Sequence, residues 1–165
     1  MNDILYSPWR LKYILSEKEK GCIFCLKPKD NDDEKHLILY RSNSSFVIMN
    51  TFPYNNGHLM VVPEKHVSRL EMLSKEEIDD LFETVQLCEK ILSEVYQPDG
   101  LNVGMNLGRA AGAGIDEHLH VHIVPRWNGD VNFMTVVGGT RVIPEPFDEA
   151  YRKLKEQFDN EKGKK

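Results

Sequence analysis

Two periods of hydrophobic recurrence divide this chain into elements. From Ser74 to Tyr96 the apolar residues Ile78, Leu81, Phe82, Val85, Cys88, Leu92 and Val95 return every three or four positions, which predicts one long amphipathic helix. Ser74 and Glu77 supply a capping box at its start, and Pro98-Asp99-Gly100 ends it. Strand character predicts strands at Leu37 to Tyr40, Phe46 to Asn50, His58 to Val62 and Leu101 to Asn106, with Asn55-Asn56-Gly57 as the turn before the third. A last strand is expected at Phe133 to Val137, then a short helix at Phe147 to Phe158 and a charged tail over 159–165. Lys27 to Lys35 reads as a charged loop, and residues 1–21 as an N-terminal arm carrying Trp9, Leu11 and Ile14 around Pro8. Clustered strands, a helix, a strand pair and a helix predict an α+β domain with an antiparallel sheet rather than repeated β-α-β units.

The strictest pattern is Glu117-His118-Leu119-His120-Val121-His122-Ile123-Val124-Pro125, which holds three of the six histidines at alternate positions. In a strand, His118, His120 and His122 share one face while Leu119, Val121 and Ile123 enter the core. Alternate Cα atoms lie about 6 to 7 Å apart, so neighbouring imidazoles can approach one small anionic ligand and still keep separate protonation states. A half-buried strand with a polar face explains one histidine more readily than three in register.

At 165 residues, 41% hydrophobic and 28% charged, the chain is expected to form a single domain over 1–165. No apolar run approaches a membrane span and Met1 to Lys20 lacks a signal-peptide core, so the expectation is a cytoplasmic protein without a membrane partner. A net charge of −5 argues against nucleic acid as a partner. Of three cysteines, Cys88 falls on the apolar face of the long helix, whereas Cys22 and Cys25 form a C-x-x-C. That pair suggests metal or redox chemistry before a structural disulfide, with reduced, unliganded thiols as the remaining reading.

His118-Leu119-His120-Val121-His122-Ile123-Val124 resembles the histidine triad motif of the HIT superfamily, and Val47-Ile48-Met49-Asn50 and Gly57-His58-Leu59-Met60-Val61-Val62-Pro63 resemble its nucleotide-cleft strands. The resemblance implies a HIT-like fold: an antiparallel sheet of about five strands, one long helix and a short C-terminal helix. It implies that His120 attacks the α-phosphate of a nucleotide and carries it covalently, with His118 and His122 completing the triad. Elementary chemistry agrees, since a neutral imidazole is a competent nucleophile near pH 7 when a neighbour fixes its tautomer.

Met105-Asn106-Leu107-Gly108-Arg109 and Pro125-Arg126-Trp127-Asn128-Gly129-Asp130-Val131-Asn132-Phe133-Met134 resemble the diadenosine tetraphosphate phosphorylase branch, which implies a nucleotide or dinucleoside polyphosphate substrate and phosphate as acceptor; water stays open as the alternative. The implied substrate contacts are Asn50 to ribose, Asn106 and the loop residues Gly112, Ala113 and Gly114 to phosphate, and Trp127 to a base. Asn50 as a turn former and Trp127 as packing are the plainer readings. Where related enzymes often carry a hydroxyl or amide, this chain has Ala113, Gly114 and Ile115. Zinc-bearing branches imply a structural zinc held by Cys22, Cys25, His66 and His118. His58 is expected to support the cleft by hydrogen bonding, and the resemblance implies a homodimer. Two other functions remain: a zinc-hydroxide metallohydrolase and a non-catalytic nucleotide-binding scaffold.

Overall fold

The computed structural model describes residues 21–131, 137, 143 and 145–163. The expected arm, except Gly21, and the expected last strand, except Val137, lie outside them. Five strands form one antiparallel sheet: β1 (Ile38–Arg41), β2 (Ser45–Met49), β3 (Leu59–Pro63), β4 (Gly100–Gly104) and β5 (Val121–Arg126), in the spatial order β1-β2-β3-β5-β4. The helices are α1 (Ile23–Leu26), α2 (Asp33–His36), α3 (Lys75–Tyr96) and α4 (Phe147–Lys162).

Strand alternation gives the sheet two unlike faces. Leu39, Val47, Leu59, Val61, Val121 and Ile123 point one way and pack under α3 and α4 with Leu81, Cys88, Leu92, Leu154 and Phe158. Ile38, Phe46, Ile48, Met60 and Val62 point the other way, where Phe24 of α1 covers them. Phe46 and Ile48 are therefore core. Asn50 follows β2 rather than ending it, and Met105 and Asn106 follow β4.

The long helix forms as its sequence dictates: Ser74 accepts the Glu77 amide, and the Glu77 carboxylate accepts the Ser74 amide in return at 2.7 Å. Phe82 departs from the expected apolar face and is 42% exposed, because Leu81, Val85, Cys88 and Leu92 set the stripe and the next position turns about 100° away. The segment read as a charged loop instead winds into a 3-10 turn at Lys27–Asp30 and α2, whose start Asp32 caps by accepting the Lys35 amide at 3.1 Å. α4 runs past its expected end, so most of the charged tail is helical; Phe158 is buried and Lys90 of α3 holds Glu161 at 2.8 Å.

Two anchors fix the loops. Gly57 has φ +69°, and a Cβ there would meet the Tyr96 ring at 2.8 Å, so the β2–β3 loop rests directly on the end of α3. Asp80, buried on α3, accepts from the Ser42 hydroxyl at 2.7 Å, the Ser44 hydroxyl at 3.0 Å, and the amides of Asn43 and Ser44, pinning the β1–β2 turn. Burial works to raise its pKa, but these donors outweigh it and hold the carboxyl below its ordinary range. Asp80→Ala strands those donors and is expected to cost about 3 kcal/mol in a urea titration.

Candidate active site

β5 and the two residues before it carry the histidines. His118, His120 and His122 face the α1 side; the first two precede the ordered ladder, and His122 lies between Met60 of β3 and Gly104 of β4. His118 and His120 are buried, and Phe24 packs on both, edge-on to His118 at 5.5 Å between ring centres and tilted against His120 at 5.1 Å.

Hydrogen-bond logic fixes the tautomers. Nδ1 of His120 lies 2.8 Å from the His118 carbonyl, which can only accept, so Nδ1 bears the proton and Nε2 keeps its lone pair. Burial depresses the His120 pKa, so the ring is held toward neutral. The backbone amide of Tyr54 donates to Nδ1 of His58 at 3.0 Å, so the His58 proton sits on Nε2, 2.9 Å from Nδ1 of His122. His122 therefore accepts at Nδ1 and offers Nε2–H as a donor. Burial first, then the neighbouring histidines, push His58 down to about 3; burial, then His120, push His122 down to about 4. The expected support by His58 is thus present.

A second cluster shares His118. Its Nδ1 lies 3.2 Å from Cys22 Sγ and 3.5 Å from Cys25 Sγ, while His66 Nδ1 lies 3.2 Å from Cys25 Sγ. All four ligand atoms fall within 4.8 Å of one another. A zinc tetrahedron with two sulfur and two nitrogen ligands has edges of about 3.3 to 3.8 Å, so the donor set fits that ion in both chemistry and size. Nε2–H of His118 donates to the Pro63 carbonyl at 2.8 Å, which turns the Nδ1 lone pair toward the thiols.

A cleft of about 630 Å³ opens beside His122, lined by Pro53, Tyr54, Asn102, Asn106, Val124 and Arg126 among others. Asn106 thus lines the same cleft as His122, whereas Gly112, Ala113 and Gly114 are outside this wall. Asn50 sits with His58: Oδ1 accepts the Phe52 amide at 2.9 Å and Nδ2 lies 3.3 Å from His58 Nδ1. Its turn-forming role is real, and its amide nitrogen supports the histidine network. Trp127 lies edge-on to Tyr96, ring centres 6.4 Å apart, where packing accounts for it. Sequence reasoning passed over Tyr54 and Arg126 as cleft residues. Arg126 was findable, since it follows His122 at an even spacing and shares its face.

A family model described as HIT domain matches residues 31–129, and the chain belongs to that family. An AP-4-A phosphorylase of Mycobacterium tuberculosis (strain ATCC 25618 / H37Rv) is 40% identical over 159 residues, covering 91% of this chain and 81% of that protein. An asymmetrical bis(5'-nucleosyl)-tetraphosphatase of Schizosaccharomyces pombe is 34% identical over 93 residues, 56% of this chain and 50% of that one. Among solved structures, a Zn-bound histidine triad family protein from Mycobacterium smegmatis superposes with a TM-score of 0.70 at 25% identity, covering 88% of this chain and 98% of that one.

The cluster geometry predicts about one zinc per chain by atomic emission; Cys22→Ser should lose it on dialysis and melt at lower temperature, as should wild type after chelation. The histidine network predicts a pH effect. Folded His58 and His122 titrate below the ordinary 6.5, so under that pH the unfolded chain binds more protons and stability falls, His122 contributing down to about 4 and His58 down to about 3. Urea titrations between pH 7 and 5 should show this slope, and His58→Gln should flatten it.

Proposed function

We propose that this chain is a nucleotidyl transferase that cleaves dinucleoside polyphosphates such as diadenosine tetraphosphate through a nucleotidyl-histidine on His120, with phosphate or water as second acceptor. The observation that carries the reading is the His120 tautomer: Nδ1–H is spent on the His118 carbonyl, so the neutral ring presents a nucleophilic Nε2. Nε2 attacks the α-phosphorus, the P–O bond to the rest of the polyphosphate breaks, and its electron pair leaves with the departing nucleotide. An oxygen of phosphate or water then displaces the histidine, releasing the nucleotide and restoring the ring. The fixed Nε2–H of His122 supplies a donor for charge developing on the transferring group or the leaving oxygen. Asn106, which lines the same cleft, supplies a second. Asn50 serves through His58 and the loop turn, with ribose contact as its further role; of the loop residues, Gly112 and Ala113 already donate their amides to the Arg109 and Gly108 carbonyls, so Gly114 is the one whose N–H is offered to phosphate. Trp127 stacking on a base is the least supported of these roles, given its contact with Tyr96.

A zinc held by Cys22, Cys25, His66 and His118 serves structure: four protein ligands leave no position for water, so it supplies no reacting group and instead fixes the residue whose carbonyl holds His120. The same closure disfavours the zinc-hydroxide reading. The chain acts as one domain, since α4, beyond the matched span, packs on β1 and α3. The exposed edge strand β4 supports a homodimer, and the reduced C-x-x-C with a net charge of −5 supports a cytoplasmic enzyme.

Diadenosine tetraphosphate is expected to yield ADP and ATP when phosphate is the acceptor, or AMP and ATP when it is water. Rapid quench should trap an adenylyl adduct that survives base and hydrolyses in mild acid, and His120→Ala should abolish the adduct and lower kcat by about 10³-fold or more. Turnover by wild type without an adduct would refute covalent transfer.

A further inference from the structure

The sulfurs of Cys22 and Cys25 meet at one nitrogen: His118 Nδ1 lies 3.2 Å from the first and 3.5 Å from the second. The Cys25 amide donates to the Cys22 carbonyl at 3.0 Å, which closes a single turn between them. The ends of such a turn stand less than about 7 Å apart at their Cα atoms, and a disulfide spans about 4.4 to 6.8 Å. A bond between these sulfurs therefore needs side-chain rotation and no refolding of α1. Both thiols are half-buried, and His66, whose Nδ1 lies 3.2 Å from Cys25 Sγ, is exposed, so a small oxidant reaches the cluster from solvent. Cys88 is shut away by contrast: it lies fully buried in the core on α3, and burial pushes its thiol pKa up.

The four candidate ligands come from three places in the chain: α1 with its N-cap, the segment after β3, and the residue two before His120. A disulfide joins only the two that already share a turn, and leaves His66 and His118 as a pair too few to close a tetrahedral site. Phe24, between the cysteines, is buried with Phe46, Ile48 and Val62, so α1 keeps its seat on the sheet without a metal. His118 then keeps only the bond from its Nε2–H to the Pro63 carbonyl. Loss of the thiolates thus loosens His118 and spares the fold.

We infer that Cys22 and Cys25 form a site of reversible oxidation, at which a peroxide converts two metal-bound thiolates into a disulfide, discharges the zinc and slackens the His118 carbonyl that orients His120. With hydrogen peroxide, one thiolate attacks an oxygen, the O–O bond breaks, and a sulfenic acid forms as hydroxide leaves. The second thiolate attacks that sulfur, the S–O bond breaks, and a second hydroxide leaves; two protons from solvent turn both into water. The two sulfurs lose two electrons in all, and the peroxide gains them. A dithiol reductant reverses the step by exchange. In a reducing compartment such a disulfide is transient, as suits a sensor rather than a staple. The effect on His120 rests on the nucleotidyl-transfer reading above, whereas the chemistry at sulfur does not.

The test titrates the zinc-loaded full chain with hydrogen peroxide while a zinc-binding dye reports released metal and peptide mass spectrometry reads the cysteines. One zinc should appear for each Cys22–Cys25 disulfide, with Cys88 still a free thiol, and dithiothreitol followed by zinc should restore the starting metal content and melting temperature. Cys88→Ala should release zinc as wild type does. Rapid quench with diadenosine tetraphosphate should show adduct formation slowed about 10-fold or more in the oxidised form, recovering after reduction and reloading. Zinc retained under excess peroxide, zinc lost with sulfinic acids in place of the disulfide, or a disulfide through Cys88 would each overturn the site, as would a chain that takes up no zinc. An oxidised form that transfers at the wild-type rate would overturn the link to His120 and leave the transfer reading intact. No adduct from the reduced, zinc-loaded chain would overturn the transfer reading and that link together, with the sulfur chemistry still standing on its own readouts.

Discussion

The carbonyl oxygen of His118 sits 2.8 Å from Nδ1 of His120, and because a carbonyl only accepts, this contact selects one tautomer of the middle ring of the triad. The rest of the site serves to keep that carbonyl where it is. The His118 ring is tethered at both nitrogens, Nε2 to the Pro63 carbonyl at the end of β3 and Nδ1 toward the thiols of Cys22 and Cys25. A residue tied at both ends of its ring has little freedom in its backbone. The metal-type cluster and the triad are therefore one assembly with His118 as the shared member.

Burial does the second half of this work. Desolvation disfavours the charged form of His58, His120 and His122, and their hydrogen bonds among the described residues are ones a neutral ring can make. Protons consequently have assigned seats, with a single direction of donation from the Tyr54 amide through His58 to His122. Phe24 stands over His118 and His120 and keeps water from one side of them, so α1 with its N-cap residue Cys22 contributes both thiols and part of the low-dielectric wall.

Much of this was legible in the chain because it rests on period. The triad face, the α3 stripe, the capping box of Ser74 and Glu77, and the grouping of Cys22, Cys25, His66 and His118 follow from spacing or from family likeness, and the coordinates bring the same residues together. What spacing misses is contact with another element. Phe82 matches the helical period yet faces solvent, because the sheet meets only the narrower stripe through Leu81 and Cys88. The last turn of α4 looks like frayed charge until Lys90 on another helix supplies a partner for Glu161. Tyr54 matters through its backbone amide, which no side-chain pattern reveals. Arg126 lines the cleft alongside residues of β4, a strand more than twenty residues earlier in the chain.

Gly57 carries a less visible consequence. With φ +69° and the Tyr96 ring where a Cβ would go, the loop between β2 and β3 is seated on the helix end by one hydrogen atom's worth of room. That loop also delivers the Tyr54 amide and Asn55. Any bulkier residue at Gly57 would lever both away together, so damage on the far side of the sheet from the triad would surface as a misplaced proton on His122. Inherited or engineered lesions of that kind would present as faulty chemistry in a protein whose triad is untouched.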